Sequence, residues 1–100
     1  MNSISEQNKE NGRYYGYEAQ SNQLVEECAE LIQAVNKYRR ARAADKDREQ
    51  VALDNLVEEI ADVEIMLEQV KDLLQIPEED IQAIKLYKVN RTRERIAGRG

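Results

Sequence analysis

The chain has no histidine, no tryptophan and no phenylalanine, and one cysteine and one proline in 100 residues. Each absence removes a class of chemistry. Without histidine there is no Glu-x-x-His pair of the kind that builds di-iron centres in helical bundles, and no imidazole base to activate a nucleophile. The lone thiol, Cys28, cannot close an intrachain disulfide, so a reducing compartment is expected, with Cys28 as a buried structural residue. No apolar run approaches membrane-spanning length and the polar N-terminus carries no signal-like segment, which makes the cytoplasm the expected location. The net charge of −5 argues against a nucleic-acid polymer as partner, because such binding needs a basic footprint. With neither Phe nor Trp, the core must be aliphatic with a few tyrosines. A helical chain this short completes its core by oligomerising.

What is present is a repeat. Leu24-Val25-Glu26-Glu27-Cys28-Ala29-Glu30-Leu31 returns 32 residues later as Leu56-Val57-Glu58-Glu59-Ile60-Ala61-Asp62-Val63. On a helix, residues three and four apart share a face. Leu24, Cys28, Leu31, Val35 and Tyr38 make one apolar stripe, and Leu56, Ile60, Val63, Leu67, Val70 and Leu74 make another. At about 100° per residue, Glu27 sits roughly 60° from the centre of the first stripe and Glu30 roughly 120°. Glu59 and Asp62 take the same two angles on the second, while Glu26 and Glu58 point away. If the stripes pack together, four carboxylates converge at the edge of a core, where unpaired negative charge is costly. Either a metal ion or Lys and Arg side chains from a neighbouring element must sit there. All-oxygen ligands favour Mg²⁺, with Mn²⁺ as a substitute, over Zn²⁺.

No strand pattern is present, and the fold class expected is all-α: an antiparallel bundle of three main helices. The first spans residues 18–42, free of Gly and Pro inside. The second is capped by Asp45 or Asp47 and runs to residue 75. Pro77 opens a third, with Glu78, Glu79 and Asp80 near its positive end. Residues 1–12 have almost no apolar content and read as a flexible arm, residues 13–97 as the folded domain, and residues 98–100 as a frayed tail. Residues 13–18 hold three tyrosines around Gly16, a lead-in loop or the opening turn of a helix. On the third helix, Lys88, Arg91 and Arg95 form a cationic ridge at spacings of three and four. Such long side chains are ordinary surface residues elsewhere. Beside a carboxylate-held metal they suit a substrate phosphate.

Glu27-x-x-Glu30, a gap of 28 residues, then Glu59-x-x-Asp62 resembles the metal-binding signature of the MazG-like, all-α nucleoside triphosphate pyrophosphohydrolases. The likeness runs from about Tyr17 to about Ile96, and the short length is similar to that of compact phage and prophage members. The resemblance implies hydrolysis between the α and β phosphates of a (d)NTP, giving a monophosphate and pyrophosphate in nucleotide-pool housekeeping. It also implies Mg²⁺ as cofactor and a homodimer or homotetramer. Carried over by motif position, Glu27, Glu30, Glu59 and Asp62 are metal ligands and Lys88, Arg91 and Arg95 contact phosphate. Glu59 and Glu30 are also the catalytic candidates, Glu30 as the base that takes a proton from water. Tyr14, Tyr15 and Tyr17 offer a stacking face for a nucleobase, with Gln20 or Asn22 reading an edge; equally, the tyrosines anchor the N-terminal arm. Two rival readings stand beside this one: a phosphoribosyl-ATP pyrophosphohydrolase, and a non-catalytic helical interaction module.

Overall fold

Four helices, joined by short turns, make up the computed structural model of the chain, which describes residues 3–99. Three of them, α2 (Tyr17–Ala41), α3 (Lys46–Leu73) and α4 (Glu78–Arg99), fall close to the bounds expected from periodicity and caps. Asp45 caps α3, its side chain accepting a hydrogen bond from the Arg48 backbone N–H at 2.9 Å. Pro77 lies just before α4, whose first turn carries Glu78, Glu79 and Asp80 against the positive end of the helix.

The helix count and the N-terminal arm both need correcting. Ile4–Tyr15 form a further helix, α1, capped by Ser3 and docked along α3. What holds it there is polar. Gln20 donates to Gln69 at 2.7 Å, Gln69 donates to Asn8 at 2.7 Å, and Asn8 donates to Glu68 and to the Ile65 carbonyl, both at 3.0 Å. Arg13 closes the far end with a two-pronged contact to Asp72 at 2.9 Å. Gly12 is buried where a Cβ would lie 2.9 Å from Gln69 Cγ, so the absence of a side chain is what allows α1 to approach. Gly16 then turns the chain from α1 into α2 at φ 89° and ψ 168°, a region nearly closed to other residues. At the other end, α4 extends through Gly98 to Arg99; residues 1, 2 and 100 of the expected arm and tail lie outside the described residues.

α2 and α3 pack as an antiparallel hairpin with Gln20 opposite Gln69. Because the repeat places equivalent residues on two antiparallel helices, the hairpin has an approximate internal two-fold axis perpendicular to both. Its interior is thin: among described hydrophobic residues only Ala34, Val63 and Met66 are buried. α4 adds nothing to it. No Cα of α4 lies within 8 Å of one in α1, α2 or α3, and the joint is spanned by a Lys71–Glu78 ion pair at 3.0 Å. The radius of gyration, 17.4 Å, exceeds the roughly 13 Å of a compact chain of this length. No described helix is long and apolar enough to cross a membrane.

Candidate metal centre

The antiparallel packing turns the repeat into a cluster. Glu27 and Glu30 lie one turn apart on α2, and Glu59 and Asp62 one turn apart on the facing stretch of α3. Oxygens of Glu27, Glu30 and Glu59 lie within 4.8 Å of one another. Glu27 and Glu59 are half-buried between the helices, whereas Glu30 is exposed at the mouth. Asp62 stands outside this close trio but is charge-coupled to it through Glu27.

The electrostatics carry the signature of crowded acid. Glu59 is held above the ordinary carboxylate range by burial first, then by Glu30, Glu27 and Asp62. Glu30 is raised chiefly by the charge of Glu27. Asp62 is raised by burial, then by Glu27 and Glu58. Glu26 and Glu58 themselves point to solvent, as their helical angles require.

Whether these residues suit a cation is tested by their unpaired atoms. Glu27 Oε2 and Glu59 Oε2 are both buried and have no hydrogen-bond partner. An orphaned buried carboxylate oxygen costs more than an orphaned neutral group, and here two occur at equivalent positions of the repeat. Gln23, one turn before Glu27, donates to Glu27 Oε1 at 2.9 Å and leaves Oε2 facing the cluster. Sequence reasoning did not single out Gln23, although its four-residue spacing from Glu27 was visible. Oxygen donors without imidazole or thiolate fit a hard divalent ion.

The other expected site residues are not brought here within one chain. Lys88, Arg91 and Arg95 are exposed on the free-standing α4, where the Arg91 guanidinium lies 5.6 Å from the Tyr87 ring centroid. Gln20 is buried and its amide nitrogen donates to Gln69 in the contact between α2 and α3. Tyr14 is 83% exposed and packs edge-on to Tyr15, ring centroids 5.0 Å apart, and Tyr17 is 45% exposed. Comparison with protein families, curated proteins and solved structures gives no match.

Proposed function

We propose that the α2–α3 cluster holds divalent metal and that the chain is a Mg²⁺-dependent nucleoside triphosphate pyrophosphohydrolase. The observation that carries this reading is the pair of buried, unpartnered oxygens, one from each half of the repeat, inside a cluster of three carboxylates with Asp62 beside it. Glu27, Glu30, Glu59 and Asp62 would hold Mg²⁺ or Mn²⁺, which when bound neutralises the cluster, screens a polyphosphate and acidifies a bound water.

The protein's own groups divide the remaining work. Gln23 fixes the Glu27 carboxylate so that one oxygen always faces the cluster. Glu59 presents its free oxygen from the opposite helix. Glu30 is solvent-accessible at the mouth, and a carboxylate oxygen that the metal leaves free there would take up the proton of an attacking water. That water attacks in line with the α–β bridging oxygen, and pyrophosphate leaves. Lys88, Arg91 and Arg95 steady its charge. Since α4 packs on none of the other helices and meets its own chain through the Lys71–Glu78 ion pair at its start, these cations would reach a site in a neighbouring copy.

Incubating the protein with each dNTP and with phosphoribosyl-ATP, in Mg²⁺, tests reaction and substrate together. Monophosphate plus pyrophosphate from a dNTP, lost in Glu59→Gln, supports the proposal. Orthophosphate as product, or turnover indifferent to Glu59→Gln, overturns it. Turnover of phosphoribosyl-ATP alone would move the reading to that substrate. Absence of turnover and of any thermal stabilisation by Mg²⁺ or Mn²⁺ would leave the non-catalytic module.

A further inference from the structure

We infer that the base and sugar of the substrate sit in a hollow between the end of α2 and the start of α3, whose donors favour a base with a ring carbonyl. This rests on the proposed function, since it seats the remainder of a nucleotide whose phosphates lie on the acid cluster.

The hollow has a volume of about 510 Å³ and is lined by Lys37, Asp47, Arg48, Val51, Ala52 and Asn55. Sites for small organic ligands span about 300–1,000 Å³, with an apolar lining and a few polar groups that fix orientation. Val51, Ala52 and the aliphatic stems of Lys37 and Arg48 supply the apolar part. Ala52 and Asn55 are half-buried, while Lys37 and Arg48 are exposed. Arg48 meets Asp45 only through Nε at 3.8 Å, and Lys37 pairs with no carboxylate among the described residues. Both cations therefore have donors to spare.

Position ties the hollow to the cluster. Lys37 follows Glu30 by seven residues, and Asn55 precedes Asp62 by seven. Each thus lies about 20° from that acid around its helix and about 10 Å along it. Because α2 and α3 are antiparallel, the two steps run toward the same end of the hairpin. The hollow opens on the side where the acids open, and Asn55 is one turn from Glu59. A phosphate at the cluster leaves room for a pentose between it and a base in the hollow.

The internal two-fold shows why space remains at this end. Thirty-two residues separate Gln20 from Ala52 and Lys37 from Gln69, so the Gln20–Gln69 contact is the counterpart of the hollow. There two long amides meet at 2.7 Å, and Gly12 of α1 lies against Gln69. Here alanine stands in place of glutamine, and the space is open. Tyr14 and Tyr17, the expected stacking residues, belong to the filled end.

The kind of base follows from the donors. Lys and Arg side chains donate and never accept. Guanine and thymine present a carbonyl oxygen where adenine and cytosine carry an amino group, itself a donor. Asp47 is the one acceptor-only group in the lining. Since both cations are exposed, water competes for their hydrogen bonds and the preference should be a few-fold.

Thymidine and deoxyadenosine, titrated to about 10 mM into the isotope-labelled wild type in chelator, test the hollow without metal, phosphate or turnover. Amide shifts should saturate at Lys37 and residues 48–55, with thymidine bound at least threefold more tightly. Saturation centred on residues 14–20 overturns the inference, as does no saturation or equal binding of the two nucleosides. In Mg²⁺, Ala52→Leu fills the hollow and should raise KM for dTTP at least tenfold with kcat within threefold. Lys37→Met keeps the stem at an exposed position and should cut the dTTP-over-dATP ratio of kcat/KM about threefold. A kinetic loss in Tyr14→Ala with none in Ala52→Leu returns the base to the tyrosines and overturns the inference. If no dNTP is turned over, the catalytic reading fails by itself and the nucleoside titration still decides this one.

Discussion

Two backbone positions set the geometry of the helix junctions, and both respond to substitution in a definite direction. At the end of α3, the Ile76 N–H reaches the Lys71 carbonyl at 3.0 Å and the Gln75 N–H reaches Asp72 at 3.1 Å. This is a Schellman cap, and it forces Gln75 to φ 56°, where glycine is favoured. Gln75→Gly removes about 1–2 kcal/mol of left-handed strain and gives back roughly half to the unfolded chain's added freedom. The net gain should be about 0.5–1 kcal/mol in urea unfolding at fixed protein concentration. Gly16→Ala should lose about 1–3 kcal/mol in the same assay, because φ 89° with ψ 168° is strained for any Cβ. Glu59 behaves differently, for the charge that the proposed function needs there opposes stability. Its neighbours and its burial disfavour the charge, so Glu59→Gln should raise the melting temperature of the metal-free protein. The same substitution should abolish the rise in melting temperature that Mn²⁺ produces in the wild type. A variant less stable without metal, or equally responsive to it, would show that the charge is not there to hold an ion.

The elements divide by what kind of side chain defines them. α2, α3 and α4 were legible in the sequence because each combines an apolar period with punctuation: Gly16, Asp45 and Pro77 stand at their starts. α1 was not, since hydrophobic periodicity sees only apolar faces. Its docking face is Ser5, Asn8, Gly12 and Arg13, which reads as solvated chain until Glu68, Gln69 and Asp72 are placed opposite. Gly12→Ala tests that face. In an open helix it would stabilise by roughly 1 kcal/mol. Here the new Cβ would meet the stem of Gln69 at 2.9 Å, so α1 should be pushed off α3 instead. Hydrogen exchange should show protection lost over residues 4–15 and kept in α2 and α3. Acid should loosen the same element. Hydrogen bonds from Asn8 and Ser5 hold Glu68 below the usual carboxylate range. That stabilisation is complete above the unfolded-chain value and disappears as pH falls through the lowered native one.

For the whole molecule, the acid cluster was readable and the position of α4 was not, for one physical reason. A repeat on two helices that pack antiparallel determines where Glu27, Glu30 and Glu59 meet, with Asp62 beside them. Nothing after Pro77 specifies where α4 goes, because its stripe turns cationic beyond Ile84 and finds no seat on its own hairpin. Among the described residues this negative centre has no cationic partner, and its pH response follows. Glu30, Glu59 and Asp62 all have raised native values, so between the ordinary carboxylate range and those values the folded protein holds more protons than the unfolded chain. Unfolding then releases protons, and stability falls as pH rises through this interval. This is opposite in sign to the usual behaviour of paired carboxylates, and it lies above the acid range in which Glu68 acts. Thermal melts in a chelator should therefore decline from weakly acid toward neutral pH. Millimolar Mn²⁺ or Mg²⁺ should reverse the decline, because only the ionised cluster binds the cation and binding stabilises the folded form by mass action. Glu59→Gln should flatten the profile in chelator and remove the cation response together. A chelator profile that is flat in the wild type would mean that the four carboxylates relax into solvent and repel one another too weakly to require an ion.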